Sequence, residues 1–592
     1  MKIKSIFCSD GNYFHNTTFN DGFNVILAEI TEPLDKNKDT HGLGKTRLVH
    51  LIDFMLLKTI DNKKKIFLTK GGFEGLVFFI QLKLNTGKYL LIKRGVDTPS
   101  RISFKELKYP IKDYNPPSVW DKENLNLKKA RTFLNEKICL NIVPNWQFRK
   151  SVTYFLRTQN DFRDIFRLDK FSRGSDKYWK PFMFDLLGFD GGLVEKKYTL
   201  EKHVAELDNK LETLQEETQI RKGQEDKILG LLQIKKQERD TISNRIDEFN
   251  FYEKEKDINR ELIEDIDLKI QILNTERYRC SYEISKIEQS LVTIAPSVDI
   301  IKLKSLFDDI NLHFPKNIEN DFNSLIEFNK LISEEREKIL EGNLDSLTSE
   351  LHELESKLKE QEDKKEKYLS FLLEKDTFHK FKDLQKELAK LDGDILNLEE
   401  RLSLANKTSE IDKERNDYMS KIGNQIQLID KEISKQSHAK IRIEFNKIIK
   451  KILNRNGIIS VYLNKLGNLE FGGEIEHPTM QVITDEASGT TYKKLMCMAF
   501  DLAILIVYSS SSFYRFVYHD GALEVLEHRK RILFLETIRN ICSKYQLQYI
   551  MTVIDSDLPI DHSGKIVNFK DSEICLKLHD RDDNGKLFKR SF

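Results

Sequence analysis

Asp39-Thr40-His41-Gly42-Leu43-Gly44-Lys45-Thr46 fills the eight positions of a phosphate-binding loop, GxxxxGK[ST], with aspartate standing for the first glycine. The last three residues carry the chemistry. Backbone N–H groups at a helix start suit phosphate, a lysine here reaches β- and γ-phosphates, and the threonine hydroxyl can coordinate Mg2+. His41, Gly42, Gly44, Lys45 and Thr46 are therefore candidate ATP-binding residues. Leu48, Leu51, Ile52, Met55 and Leu56 follow at helical spacing, so the loop is expected to sit between a strand and a helix. Its partner motifs lie far along the chain, near Ser488 and Asp520, beyond two heptad-rich stretches. Neither end can make a nucleotide site alone. The intervening coil is expected to fold back as a hairpin, so that both ends build one α/β head.

The arms declare themselves by period. Val204, Leu207, Leu211 and Leu214 step by 3, 4 and 3, and Leu344, Leu347, Leu351, Leu354 and Leu358 by 3, 4, 3 and 4. Leu384, Leu388, Leu391, Ile395, Leu398 and Leu402 continue the same kind of seam. A period near 3.5 keeps one apolar stripe facing its partner helix. No proline occurs between Pro181 and Pro296 or between Pro315 and Pro478. An arm of roughly 95 helical residues would reach about 140 Å at ~1.5 Å per residue. The expected organisation is an N-terminal lobe (1–194), an ascending arm (195–293), a small helical elbow (294–329), a descending arm (330–440) and a C-terminal lobe (441–592). The elbow, with Phe307, Leu312, Phe314 and Phe322, reads equally as a docking or dimerisation tip and as a turn that buries its own apolar residues.

Composition narrows the classes. Among 592 residues, 96 Lys and Arg balance 95 Asp and Glu, so any nucleic-acid surface must be local. Charged residues make up 32% of the chain and only 11 residues are proline, which suits long solvated helices. Six scattered cysteines without a CxxC pair argue against a disulfide framework and for a reducing cytoplasm. Leu495 to Tyr508 is the longest apolar stretch; it is short and holds Asp501, so a buried helix is expected and no membrane span.

Two further motifs complete the expected site. Glu486-Ala487-Ser488-Gly489-Thr490 precedes a helix bearing Lys493 and Lys494; alone it reads as an ordinary Ser-Gly helix start. Phe516-Val517-Tyr518-His519-Asp520 is an apolar strand ending in a carboxylate that could hold Mg2+, or a strand ending in a turn aspartate. Gln159, just before the first arm, is either a third Mg2+-site residue or a surface glutamine. The order of loop, arms, Ser-Gly and strand-plus-Asp persuades more than any one motif.

On these residues the chain resembles the SMC-like ABC ATPases. More narrowly it resembles the YydD-like ATPases of bacterial ABC-three-component and Lamassu-type antiphage systems. The narrower likeness rests on Asp39 to Lys45, Phe314-Pro315 through Phe328, His519-Asp520-Gly521 and the tail Gly585-Lys586-Leu587-Phe588. It spans nearly the whole chain, although only the head motifs are specific. The resemblance implies an ABC-type head formed from both chain ends, with an antiparallel coiled coil. It also implies that Ser488 and Gly489 bind the γ-phosphate held by an opposing head, and that Gln159 senses Mg2+ and the attacking water. The implied partners are double-stranded DNA, a second head, a middle subunit and an effector nuclease subunit.

One departure matters. Gly521 stands where the class places its catalytic glutamate, and no switch histidine follows Met551-Thr552-Val553-Ile554-Asp555. A missing base costs about 10²–10⁴-fold in rate. Slow hydrolysis is the expectation, with Glu524, Glu527 or His519 as substitutes; His519 reads also as a hydrogen-bonded structural residue. Between Trp146 and Lys180, nine Lys and Arg against four Asp interleave with aromatic residues. Arg163 and Arg167 are the candidate DNA contacts there, against the plainer reading of core aromatics beneath a solvated charged face. His313, His352 and His379 are isolated and lack metal-ligand spacing. Two rival readings remain: a DNA-repair or chromosome-organising relative, and a coiled-coil scaffold with a degenerate head.

Overall fold

The computed structural model describes residues 1–31, 42–60, 68, 72–172, 174–218, 223–247, 260–294, 317–369, 375–476, 490–524, 526–561 and 564–590. Two compact units emerge, one formed by Met1–His203 with Tyr418–Phe592 and the other by Val204–Asp417.

In the first unit the N-terminal part contributes β1 (Lys2–Cys8), β2 (Thr17–Thr18), β3 (Phe23–Glu29), α1 (Lys45–Met55), β4 (Val77–Lys83), β5 (Tyr89–Gly95), β6 (Arg101–Leu107) and β7 (Lys122–Asn126). After these come α2 (Leu127–Ile138), α3 (Phe148–Ser151), β8 (Leu156–Arg157), α4 (Lys180–Leu186) and α5 (Gly191–Thr218). Six of these strands form an antiparallel sheet in the order β2-β1-β4-β5-β6-β7. β4 and β5 form a hairpin around Asn85-Thr86-Gly87, in register from Val77↔Gly95 to Lys83↔Tyr89. Gly87 takes the left-handed φ of 82° that this turn requires.

The second sheet decides the architecture. Its order is β13-β3-β12-β11-β8, with β11 (Phe516–His519), β12 (Gln548–Ile554) and β13 (Ile574–His579) coming from the far end of the chain. Every pairing in it is parallel. Strands from residues 23–29 and 156–157 are thus interleaved with strands from residues 516–579. β3 and β12 are buried along nearly their whole length, as expected of a parallel sheet covered on both faces. One cover is α11 (Thr490–Val507), the expected apolar helix, buried from Leu495 through Leu505.

Within the second unit, α6 (Glu225–Asp247) meets α9 (Lys375–Ser434) through Ile242, Leu388 and Leu391, and again through Ile228 and Ala405. α7 (Arg260–Ile294) packs against α8 (Asn317–Leu369). Buried Ile263, Ile266 and Ile270 carry the 3/4 step on α7, and Leu354 and Leu358 carry it on α8. Residues 295–316 of the expected elbow lie outside the described residues, and 317–329 already form the start of α8. The first unit also holds α10 (Ala439–Leu453), the antiparallel pair β9 (Gly457–Leu463) and β10 (Leu469–Ile475), and α12 (His528–Tyr545).

Candidate nucleotide site

Strand β3 ends at Glu29 and α1 starts at Lys45, so the loop's end sits at the carboxyl edge of the parallel sheet, where α/β folds place ligands. Gly44 caps α1 with φ 99° and ψ 11°, a left-handed conformation that disfavours side chains. A Cβ there would also lie 2.7 Å from Leu587 Cβ. Among the described residues no side chain caps the helix and its first turn has no acidic residue, so its first N–H groups suit an anion. Burial lowers the Lys45 ammonium from its ordinary value, while the negative charges of Asp520, Glu524, Asp557 and Asp555 push it back up.

Strand β11 delivers Asp520 to the same edge. Its Oδ2 accepts from Thr46 Oγ1 at 2.6 Å and its Oδ1 from Thr552 Oγ1 at 2.6 Å. The hydroxyl and carboxylate that a Mg2+ ion bound to phosphate would need are therefore adjacent, 474 residues apart in sequence. Beside them, β8 leads into Gln159, whose Nε2 donates to Glu524 Oε1 at 2.8 Å, and Lys494 Nζ lies 3.3 Å from Glu524 Oε2. Lys45, Thr46, Asp520, Gln159 and Glu524 are thus gathered at one edge of the sheet. His41, Ser488 and Gly489 lie outside the described residues.

Both chain ends build this candidate site on an interleaved parallel sheet. The fold is an α/β head assembled from both chain ends, with long helices between them in sequence. Residues 448–592 match a family described as an uncharacterised protein conserved in bacteria, DUF2326. The uncharacterized protein YydD of Bacillus subtilis (strain 168) is 22% identical over 382 residues, covering 60% of this chain. The match spans 59% of that relative's length, so less than two thirds of it is represented. Among solved structures, the chain is similar to a Pyrococcus yayanosii Smc head domain with a coiled coil and joint (13% identity, 93% and 92% coverage, TM-score 0.33). It is also similar to a Pyrococcus furiosus Smc head with an extended coiled coil bound to the C-terminal domain of ScpA (13%, 94% and 90%, TM-score 0.35). A third is the recombination mediator RecF–ATP (10%, 94% and 92%, TM-score 0.27).

Three supports of this head have structural roles that the sequence reading did not assign. Arg157 and Asp501 form a bidentate pair at 2.6 and 3.0 Å with side chains 0% and 1% exposed. The carboxylate outweighs burial and holds the guanidinium charged. Asp501 also meets His519 Nε2 at 3.1 Å, while His519 Nδ1 faces the Tyr549 hydroxyl at 2.7 Å. This ties α11 to β8 and β11, the strands that lead into Gln159 and Asp520. Burial keeps His519 below its ordinary pKa, so it is a neutral structural imidazole. Thr552 is the second support: besides holding Asp520, it accepts from the Gly521 N–H at 2.6 Å. A lone polar residue in an apolar strand was the available signal. The third is the tail, where Leu587 N–H donates to Leu43 O at 2.9 Å. Phe588 packs against Phe14, Phe73 and Phe78.

The basic-aromatic stretch resolves mainly as core. Phe148, Tyr154, Phe162, Phe166 and Trp179 are buried. Arg167 donates to the carbonyl oxygens of Phe171 and Ser172. Arg163 is exposed, 3.8 Å from Asp169. Glu527 is exposed and pairs with Lys530 at 3.2 Å. Among the described residues no cluster of three or more His, Cys, Asp or Glu could hold a metal, and no helix is long and apolar enough to cross a membrane.

Proposed function

We propose that this chain is an ATP- and Mg2+-binding, SMC-like DNA sensor or clamp subunit of a bacterial antiphage or anti-plasmid complex. It would control an effector, a nuclease, carried on another polypeptide through a middle subunit. The supporting observation is the convergence of Thr46 and Asp520, brought from opposite ends of the chain to the start of α1. Mg2+ prefers one or two carboxylates plus phosphate oxygens and water over an all-protein cage, and this pair has that character. Lys45 would meet the phosphates, Gln159 would reach the Mg2+ shell, and Ser488 and Gly489 would close on nucleotide held by a second head. ATP binding, more than turnover, would bring two heads together, because Gly521 supplies no base. The arms and elbow at 195–440 would form the hairpin that carries this closure. Double-stranded DNA would be held through its backbone, with Arg163 and Arg167 as contacts.

The test is equilibrium binding of a non-hydrolysable ATP analogue with Mg2+, followed by DNA binding across a salt series. Lys45→Ala and Asp520→Asn should each weaken analogue binding at least tenfold. Reversing Arg163 and Arg167 to Glu should weaken DNA binding and flatten its salt dependence. Wild-type protein with no affinity for the analogue would sink the reading and leave the scaffold with a degenerate head. Unchanged DNA affinity in the arginine variants would move the DNA surface elsewhere.

A further inference from the structure

Gly521 leaves a specific question, namely which group, if any, accepts the proton of the attacking water. Three carboxylate or imidazole groups lie near enough in sequence to be asked. His519 is fully buried and held on both ring nitrogens, by Asp501 and Tyr549. Glu527 stands just before α12 with a side chain 76% exposed. Glu524 differs from both. The chain turns back on itself from Gly521, with Glu524 N–H donating to Gly521 O at 3.3 Å. Gly521 has φ 66°, and a Cβ built on it would lie 2.3 Å from Glu524 Oε1 and 2.6 Å from Oε2. The Glu524 carboxylate therefore occupies the volume in which a side chain at position 521 would begin.

Its two oxygens are oriented by different elements. Oε1 takes the Gln159 amide and Oε2 faces the Lys494 ammonium, whose side chain is only 7% exposed. Lys494 also lies over the Phe162 ring, 5.1 Å from its centroid, which fixes it from the other side. Lys494 belongs to α11, the helix that begins at Thr490, directly after Ser488-Gly489.

Resting on the ATP-site reading above, we infer that Glu524 is the displaced base of hydrolysis and that Lys494 is the residue that positions it. In the step, the water oxygen bonds to the γ-phosphorus and the bond from that phosphorus to the β–γ bridging oxygen breaks. ADP leaves with the electron pair. The water proton passes to the Glu524 carboxylate, which later returns it to solvent. No residue at 521 is needed, because a glutamate three positions later fills its place. A glycine suits that position, because its φ of 66° strains other residues and a Cβ there would force the carboxylate to shift.

The experiment compares wild type, Glu524→Gln, Gly521→Ala, Lys494→Met and Lys494→Arg by ATP turnover, analogue affinity and ATP-dependent self-association. Glu524→Gln should lower kcat by about 10²–10⁴-fold with analogue affinity held within about twofold. It should also accumulate self-associated protein in ATP, as wild type should in the analogue. Gly521→Ala should slow turnover in the same sense. Lys494→Met should lower kcat at unchanged KM, and Lys494→Arg should restore it, a split that a purely structural lysine would not produce. Wild-type turnover in Glu524→Gln, or no turnover in wild type that binds the analogue, overturns the assignment while leaving the ATP site intact. Failure of wild type to bind the analogue overturns both.

Discussion

The head unit and the arm unit differ in the charge pairs that dominate them, although the arm too has a buried lysine, Lys365, beside Asp267. In the head, two acidic groups are buried against cations: Asp501 with Arg157, and Asp53 with both Arg149 and Lys58. Burial alone would raise the Asp53 carboxyl, yet its two cations hold it well below the usual carboxylate range. In the arm, pairs such as Lys364–Glu360 and Lys357–Glu353 lie one helical turn apart with both side chains about half exposed or more. Water and salt screen such pairs, so they solubilise a helix more than they stabilise it. The arm's cohesion comes instead from thin clusters such as Ile242, Leu388 and Leu391. A particular residue matters in the head, and a period matters in the arm.

The sharpest way to break that contrast is Asp501→Ala, which strands the Arg157 guanidinium in a dry interior. Removing one partner of a buried pair costs about 3–5 kcal/mol. Denaturant unfolding of the head should shift accordingly, and a shift within error would mean the pair is not matched as described. Next is Leu391→Ala in the arm. Core leucine truncations cost about 2–5 kcal/mol, and a small cluster that can collapse belongs at the lower end. Amide exchange should quicken locally across 384–402; loss of exchange protection in the head as well would contradict two separate units. Smallest is Glu360→Ala, which should change neither exchange nor unfolding. A measurable loss there would mean the arm depends on individual ion pairs after all.

Much of the fold could be read from local pattern. The 3/4 steps, the hairpin around Asn85-Thr86-Gly87, the apolar helix after Thr491 and the strand ending in Asp520 each needed only neighbours in sequence. The site was legible as far as its motifs carry their own chemistry, as Lys45, Thr46 and Asp520 do. What stayed hidden depends on distant partners. Asp501 read only as a charge interrupting an apolar run, because its partner Arg157 is 344 residues away. The contacts of Thr552 and Leu587 were hidden for the same reason. Choosing among Glu524, Glu527 and His519 required the turn at Gly521, whose direction no local pattern records. The stretch from Trp146 to Lys180 misleads in another way. Aromatic residues destined for a core and those that stack on nucleic acid have the same composition, and only burial separates them.

The strand order β13-β3-β12-β11-β8 also sets the timing of synthesis. β3 is made almost first, yet both of its neighbours are among the last strands to leave the ribosome. At about 5–20 residues per second, translation of the intervening chain takes on the order of 30–120 s. Throughout that interval an apolar strand waits with both edges unsatisfied, an invitation to aggregation. Co-translational shelter for this nascent segment is therefore a demand built into the topology itself.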